Sequence, residues 1–191
     1  MGTSRRLFVA IELPAVVLDA LEEAIAPLQI EAPELVWRPF STRHLTMKFL
    51  GDVEPDRIDG IAQMLDGIAR THRPFAIHLA HVGAFPNFRK ARVVCLGVEH
   101  EPRLELLQHD LELAAAELGF ELEGRAFRPH VTLARVKEIL EVDRMRRLAR
   151  AARKVDFSAT ADVAEMTLFE STFAPTGARH GRIYAATLGG R

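Results

Sequence analysis

The stretch Arg43-His-Leu-Thr-Met-Lys-Phe-Leu-Gly51 decides the fold, because Pro129-His-Val-Thr-Leu-Ala-Arg135 repeats its His-x-Thr motif later in the chain. His44 and His130 lie 86 residues apart. The strand-like segments on either side of the motifs repeat at nearly the same offset. Upstream of the motifs, Phe8 and Val93 are 85 residues apart, and downstream of them Phe75 and Phe157 are 82 residues apart. Chance alternation of strands and helices would leave the matched motifs unexplained. Order and spacing therefore predict one unit copied once, with two lobes related by a pseudo-twofold axis.

Length and composition are typical of one globular domain. The chain has 191 residues, of which 48% are hydrophobic and 27% charged, and this length can bury a core without disulfides or a metal. We expect residues 1–191 to form a single domain of two pseudo-symmetric lobes. The single cysteine, Cys95, cannot form an internal disulfide, which favours a reducing, cytoplasmic location.

Charge and hydropathy limit the partners. No apolar run in the sequence reaches the ~20 residues that a membrane span needs, so no membrane partner is expected. A net charge of −1 gives no overall attraction to long nucleic acid, although a local basic pocket could hold a nucleotide or an RNA end. Without a coiled-coil pattern or a long apolar stretch, we expect a monomer.

The apolar pattern predicts both strands and helices. Alternating or continuous apolar runs predict strands at 6–12, 44–50, 75–82, 91–98, 130–136, 156–161, 164–170 and 182–188. Helical spacing predicts four helices, at 17–28, 58–68, 104–118 and 142–152, and Pro27 is expected to limit the end of the first one. The connection between 75–82 and 91–98 is too short for a helix. The pattern therefore favours an α+β fold with mainly antiparallel sheets flanked by helices.

Side-chain alternation along a strand gives the two motifs their chemistry. His44 and Thr46 share one face of their strand, His130 and Thr132 share one face of theirs, and the apolar neighbours, Phe49 included, are expected on the opposite faces. A pseudo-twofold axis brings both pairs to one cleft between the lobes. One neutral imidazole can then take a proton from water, the other can protonate a leaving alkoxide, and the hydroxyls can stabilise a phosphoryl group. This arrangement suits phosphodiester cleavage without a metal, with backbone carbonyls as candidates to orient the imidazoles.

Four further residues are candidates for the cleft wall. Lys48 has the parity of the first histidine and would add positive charge there, although a solvated strand end is an equal alternative. Arg128 shares the parity of the second histidine across an intervening proline. Arg135 has the opposite parity and reaches the cleft only if the strand ends or bulges. Phe85 could stack on a base, with core packing as the alternative.

Other polar residues favour plainer interpretations. His180 could border the cleft, but a loop histidine is the simpler reading. Arginines along the fourth helix form a basic stripe that is more typical of a solvated face than of an RNA contact, at positions 146, 147, 150 and 153. His78 and His81 face opposite sides of their strand, and neither a cysteine nor a carboxylate cluster lies nearby, so no metal site is expected.

With these residues in view, the chain resembles the 2H phosphoesterase superfamily, and within it the RNA 2′,3′-cyclic phosphodiesterases, also described as 2′-5′ RNA ligases. The resemblance covers almost the whole chain. Its specificity comes from the paired motifs together with their flanks, which are RLFVAIELP, Trp37, RHLTMKFLGDV, VGAFP, FRPHVTLAR and LFESTFAPTGARHGRIY. The resemblance implies a duplicated α+β fold with an antiparallel sheet in each lobe and a cleft between the lobes.

The resemblance also implies an activity and residue roles. The expected reaction is hydrolysis of a 2′,3′-cyclic phosphate on RNA or a nucleotide to a 2′-phosphomonoester, with neither a metal nor another cofactor. His44 is expected to be the proton donor to the 3′ oxygen and His130 the proton acceptor that activates water. Thr46 and Thr132 are expected to bind the phosphate, and Arg135 matches an arginine that the family places near it.

Two alternative functions remain open. The same site can join a 2′,3′-cyclic end to a 5′-hydroxyl, so 2′-5′ RNA ligation of tRNA halves is one alternative. Non-catalytic binding of RNA ends is the other, although two intact histidines argue against it because arginine or lysine would serve binding better. The natural substrate, whether a tRNA fragment, an oligonucleotide or a small nucleotide, and the base preference are not specified by the residues.

Overall fold

The computed structural model describes residues 3–138, 140–174 and 177–189. Its helices are α1 (Ala15–Glu31), α2 (Ile58–Thr71), α3 (Pro102–Glu117) and α4 (Val142–Ala152). Its strands are β1 (Arg5–Glu12), β2 (Val36–Trp37), β3 (His44–Val53), β4 (Phe75–Phe85), β5 (Val93–Val98), β6 (His130–Arg135), β7 (Ser158–Val163), β8 (Glu165–Ala174) and β9 (Gly177–Thr187). Short 3₁₀ turns at Phe40–Thr42 and Pro55–Arg57 precede β3 and α2.

The strands form one antiparallel sheet in the order β7-β4-β5-β6-β3-β1-β8-β9, with β2 paired to β6. The two strands that carry the His-x-Thr motifs, β3 and β6, meet at the centre, where Leu45 lies opposite Val131. Apart from the short β2, four of the described strands therefore lie on each side of this junction, as the antiparallel half-sheets of the two lobes. The predicted α+β fold, with mainly antiparallel strands and flanking helices, is confirmed.

The internal symmetry differs in one respect from the sequence prediction. Counting outward from the central junction, β4 and β8 hold equivalent positions, as do β7 and β9. The assignment of Phe75 and Phe157 as equivalent landmarks is therefore wrong. The physical reason is the short connection after β4, which forces β4 to pair with β5 and so places it in the half-sheet of the second motif.

The two faces of the sheet serve different purposes, as β1 illustrates. Leu7 and Val9 are fully buried and belong to the main core, which the helices share. Phe8 and Ala10 alternate with them, and on the opposite face they form a small separate cluster with Phe169. The helices therefore cover one face of the sheet, and the other face is left to form a cleft.

The helices match their predicted positions, with one exception at Pro27. Pro27 lies inside α1 and does not end it, because the helix continues to Glu31. The proline lacks the N–H that would bond within the helix. Leu28 is 1% exposed in the next position, so the burial of this last turn against the core offsets the missing bond. Within the described residues, no helix has the length and apolar character needed to cross a bilayer.

Candidate active site

The central strand pair brings the two motifs together. Leu45 and Val131 are directly opposite each other and are fully buried on the core face. The histidine and the threonine of each motif lie on either side of this buried residue. Their side chains project to the other face of the sheet, because successive side chains of a strand alternate between faces. His44, Thr46, His130 and Thr132 are all half-buried there. Two imidazoles and two hydroxyls therefore meet at the middle of the open face.

A cavity of about 370 Å³ lies along this face. Its wall includes His44, Thr46, Thr132 and Arg135 from the predicted set. The remaining lining residues are Arg6, Leu7, Phe8, Arg38, Thr42, Phe49, Gly51, Ser171, Ala178 and His180. His130 lies beside this wall, where its ring packs against Phe85 with centroids 4.7 Å apart.

A β-bulge in each motif strand changes which residues reach the cleft. Ala10 is opposite Thr46 and Val9 is opposite Lys48, so Met47 is the extra residue in β3. In β6, Thr132 is opposite Cys95 and Ala134 is opposite Val94, so Leu133 is the extra residue. A bulge of this kind reverses the alternation beyond it. The fifth residue after each histidine, which strict alternation would turn to the core, therefore faces the cleft.

Phe49 and Arg135 are these two residues, and they occupy equivalent positions in the two motifs. Both line the cavity. The expectation that Phe49 faces away from His44 is therefore wrong. Arg135 reaches the cleft wall because its strand contains a bulge, which is one of the two conditions stated for it in the sequence analysis.

The same bulge takes Lys48 out of the cleft, which corrects its assignment as a possible cleft-lining residue. Its side chain is 3% exposed on the helix-covered face. The Lys48 Nζ donates to Oε2 of Glu112 and to the backbone carbonyl of Glu121, each at 2.6 Å. Lys48 thus connects β3 to α3 and to the segment after it, and it contributes no charge to the cavity wall.

Backbone groups orient His130. Its Nδ1 lies 2.8 Å from the carbonyl oxygen of Arg128. A carbonyl can only accept, so in the neutral ring Nδ1 carries the proton and Nε2 keeps a free lone pair. The Arg128 side chain is exposed and is not part of the cavity wall. Its contribution to the site is therefore this carbonyl, not the cationic side chain that the sequence suggested.

His44 is held in a more apolar setting. Phe8 stacks on its ring with centroids 4.8 Å apart, and Phe169 stacks on Phe8 at 5.3 Å. Burial, followed by the positive charges of His180 and Arg38, lowers the pKa of His44 to about 4, against a smaller opposing effect from a backbone hydrogen bond to Thr42. His44 is therefore neutral at pH 7 in the unliganded cleft.

Two further residues lie near His44: His180, for which the expectation of a loop position is wrong, and Arg38, which the sequence analysis did not identify. His180 on β9 lies with its ring centroid 5.0 Å from that of His44, and burial and the charge of Arg38 lower its pKa. Arg38 follows β2 and donates its backbone N–H to the carbonyl of Leu133. Burial and the neighbouring charge of Arg135 lower the pKa of Arg38. No local motif marks either residue; only the sheet order brings them to His44.

Phe40 lies in the 3₁₀ turn before β3 and packs against the main core. The segment that leads into the first motif is fixed by Arg43, which is buried and forms an ion pair with Glu22 of α1. The Arg43 guanidinium also donates to the carbonyl of Arg38, at 3.2 Å. This buried arginine therefore links α1, Arg38 and the start of β3.

The cavity wall is cationic, although the chain as a whole is not. The sequence contains 25 lysines and arginines against 26 aspartates and glutamates. The described residues that line the cavity nevertheless include three arginines and no carboxylate. Within the described residues, no group of three or more His, Cys, Asp or Glu side chains is arranged to hold a metal ion. The wall is thus suited to a small anion such as a phosphate.

The chain is similar to proteins of known activity over most of its length. The model of the 2′-5′ RNA ligase superfamily matches residues 13–172. An RNA 2′,3′-cyclic phosphodiesterase from Methanothermobacter thermautotrophicus is 33% identical over 159 residues, covering 83% of this chain and 82% of that protein. A protein of the same name from Thermotoga maritima is 30% identical over 186 residues, covering 97% of this chain and 96% of its own length.

A solved structure extends the similarity to the fold. The crystal structure of E. coli LigT complexed with 3′-AMP matches with a TM-score of 0.75 and 28% identity, covering 97% of this chain and 98% of that one. Both His-x-Thr motifs of this chain lie within the residues that the family model matches. The chain therefore belongs to the 2′-5′ RNA ligase superfamily, the group of 2H phosphoesterases.

Proposed function

We propose that this protein is a metal-independent RNA 2′,3′-cyclic phosphodiesterase that hydrolyses the cyclic phosphate of an RNA end or nucleotide to a 2′-phosphomonoester. One observation carries the proposal. The two His-x-Thr motifs meet at the β3–β6 junction, and both threonines line one cavity with His44 and Arg135. The names of the relatives in Methanothermobacter thermautotrophicus and Thermotoga maritima support the same reaction.

In the proposed mechanism His130 is the base. Its Nδ1 is engaged by the Arg128 carbonyl, which leaves Nε2 free to take a proton from water. The water oxygen bonds to phosphorus as the bond between phosphorus and the 3′ oxygen breaks. His44 gives its proton to that 3′ oxygen, and exchange with solvent then restores both histidines. The product retains the phosphate on the 2′ oxygen.

His44 must gain a proton before it can act as the acid. In the unliganded cleft its pKa is lowered to about 4, first by burial and then by positive neighbours. A bound phosphodiester places a negative charge beside the ring, which favours the imidazolium and raises its pKa. The substrate therefore promotes protonation of the group that later protonates its leaving oxygen.

Thr46, Thr132 and Arg135 are proposed to bind the phosphate. All three line the cavity. The hydroxyls can donate to the non-bridging oxygens, where negative charge increases in the transition state. Arg135 provides a positive charge on the same strand as Thr132. Together they hold the phosphorus between the two imidazoles without a metal ion.

The family description favours a second candidate function, the joining of RNA ends by a 2′-5′ linkage. A 5′-hydroxyl would replace water as the nucleophile, and the same two proton transfers would apply. Incubating tRNA halves that carry a 2′,3′-cyclic phosphate and a 5′-hydroxyl, and identifying any joined product, measures this reaction. Hydrolysis is the primary proposal because water is present in large excess.

The test is hydrolysis of a 2′,3′-cyclic nucleotide in EDTA by the wild type, His44→Ala and His130→Ala, with the 2′- and 3′-phosphate products separated by chromatography. We expect turnover to the 2′-phosphate and a loss of at least about 10²-fold in each variant. His109→Ala is the matched control, because His109 is exposed on α3. A metal requirement, a 3′-phosphate product or fully active variants would contradict the proposal, and binding without turnover would favour an RNA-end binding protein.

A further inference from the structure

The basic stripe on α4 has two parts. Arg146 forms an ion pair with Asp143, one turn earlier in the helix, at 3.1 Å, and both side chains are exposed. Arg147 and Arg150, together with Lys154 in the turn after the helix, instead line a cavity of about 350 Å³ between α4 and α1. We call this cavity the α1–α4 groove. The structure thus separates cations that face only solvent from cations that line a concave site.

Small side chains explain why a groove exists between these helices. Ala24 on α1 and Ala151 on α4 are half-buried and pack against the main core. Their methyl groups leave space between the helices that larger apolar side chains would fill. The other apolar residues that line the groove are Pro27, Leu28 and Val155. The α1–α4 groove therefore has an apolar floor beside its cations.

Charge in the groove is unbalanced. Among the described residues, none of its three cations forms an ion pair, and Glu31 is the only carboxylate that lines it. Arg144 engages that carboxylate, with Nη1 3.0 Å from Oε1. The same arginine also binds Glu34, with Nε 2.6 Å from Oε1, so both nearby carboxylates already have a cationic partner. The groove is left with an excess of positive charge, which attracts an anionic ligand.

The spacing of the three cations indicates the shape of that ligand. Positions 147, 150 and 154 follow one another at intervals of three and four residues, which places them along one side of the helix. At a rise of about 1.5 Å per residue they span roughly 10 Å. A single phosphate ion is too short to contact all three cations. An extended chain with several negative groups can contact them together.

The groove fits an acidic protein segment better than a nucleic acid. Its described lining residues include no aromatic side chain on which a base could stack. It also lies in the helix layer, on the opposite face of the sheet from the paired histidines, so an RNA bound in the cleft would have to pass around the sheet to reach it. A peptide supplies both an apolar side chain for the floor and carboxylates for the cations.

We propose that the α1–α4 groove is a docking site for an acidic segment of a partner protein. An apolar side chain of that segment lies between Ala24 and Ala151, and its carboxylates pair with Arg147, Arg150 and Lys154. Grooves between helices commonly receive a peptide in this way, through apolar anchors. Docking there leaves the catalytic cleft open on the other face of the sheet. This inference does not depend on the proposed hydrolysis.

The test is fluorescence anisotropy with a labelled peptide of repeated Glu-Leu-Glu, compared with peptides of repeated Gln-Leu-Gln and Glu-Ser-Glu. We expect the first peptide to bind most tightly, because only it has both carboxylates and an apolar side chain, and its affinity should fall as salt is added. The double variant Arg147→Gln/Arg150→Gln should bind it about tenfold more weakly, because two charge contacts are lost. Ala24→Leu should also weaken binding, because it fills the apolar floor.

Arg146→Gln/Arg153→Gln is the matched control, since it removes two exposed charges of the same stripe outside the groove. An equal loss in this control would assign binding to overall charge and overturn the proposal. A loss in Arg135→Gln would place the peptide in the catalytic cleft, with the same consequence. No binding of Glu-Leu-Glu by the wild type would also overturn it, and single-stranded RNA bound in its place through Arg147 and Arg150 would identify the groove as a nucleic-acid site.

Discussion

The imidazole of His180 meets that of His44 edge-on, with ring centroids 5.0 Å apart and ring planes inclined by 64°. Phe8 stacks on the same His44 ring, and its own contact with His180 is also edge-on, at 5.0 Å. A basic ring and an aromatic ring thus enclose His44. This packing explains why the unliganded protein disfavours the imidazolium, and it makes His180 a positioning residue for the protonation of His44.

Replacing His180 with glutamine should raise the pKa of His44. In the wild type, burial and then the charge of His180 hold that pKa at about 4. Removing one positive neighbour favours the imidazolium, so the loss of the His44 proton shifts to higher pH. An NMR titration of the His44 ring protons measures the shift directly. Because kcat/KM reports ionisations of the free enzyme, its low-pH inflection should move in the same direction.

Two further variants separate this electrostatic effect from general disturbance of the site. Arg38→Gln should shift the pKa of His44 in the same direction, because Arg38 also lowers it. His109→Gln, on the exposed surface of α3, should leave the titration where it is. If the pKa of His44 is the same in His180→Gln as in the wild type, the charge of His180 does not affect His44 and the prediction is wrong.

The ring of His130 should hold its proton on Nδ1 when it is neutral. The carbonyl of Arg128, 2.8 Å away, can only accept a hydrogen bond, so Nδ1 must donate. Nitrogen-15 NMR distinguishes a protonated from an unprotonated ring nitrogen, and we expect Nε2 to be the unprotonated nitrogen of the neutral ring. Finding the proton on Nε2 would remove the proposed base from the position where it contacts water.

Valine at position 46 or 132 should slow the reaction while preserving the shape of the side chain. Each change removes one hydroxyl that is proposed to donate to the phosphate, and loss of one such donor costs about 10²- to 10³-fold in kcat. Thr46→Ser and Thr132→Ser keep the hydroxyl and should retain most of the activity. Steady-state kinetics on a cyclic nucleotide compares the four variants. Equal rates for the serine and valine variants would exclude a hydrogen-bonding role.

Strand alternation predicted the cleft face correctly as far as Thr46 and Thr132, but not beyond them. The bulges that turn Phe49 and Arg135 towards the cleft have ordinary apolar strand residues, Met47 and Leu133, as their extra residues. Nothing in their chemistry distinguishes a bulge from regular pleating. One extra residue exchanges the faces of the residues that follow it until the next register shift, which in β3 comes after Phe49, and this is why Phe49 lines the cleft against expectation.

His180 illustrates a different limit. It lies on β9, and it reaches His44 only because β8 pairs with β1 on one side and with β9 on the other. The duplication suggests which strands carry the motifs, but it does not specify which strands lie at the sheet edge. Long-range strand order depends on the packing of the whole chain, so a single histidine outside a repeated motif has no local signal.

Lys48 provides a direct comparison of the sequence expectation with the structure. A cleft-lining lysine would bind substrate, so its loss would lower kcat/KM and reduce the salt dependence of binding. In the structure Lys48 is buried instead, and its Nζ lies 2.6 Å from a carboxylate oxygen of Glu112. That carboxylate is 12% exposed, and Lys48→Met removes its cation while leaving it the hydrogen bonds from Gln108 and from the Glu123 N–H. We expect a loss of about 3–5 kcal/mol in the free energy of unfolding, because removing one member of a buried pair strands the other.

Urea unfolding of four proteins checks this expectation: the wild type, Lys48→Met, Glu112→Gln and the double variant. The double variant should be more stable than the sum of the single losses implies, because it no longer contains an unpaired buried charge. Lys90→Met, at an exposed lysine in the turn between β4 and β5, controls for loss of one positive charge. A Lys48→Met protein of unchanged stability with impaired substrate binding would instead place this lysine in the cleft. The buried contacts to Glu112 and Glu121 predict the reverse, a less stable protein whose folded fraction retains its kcat/KM.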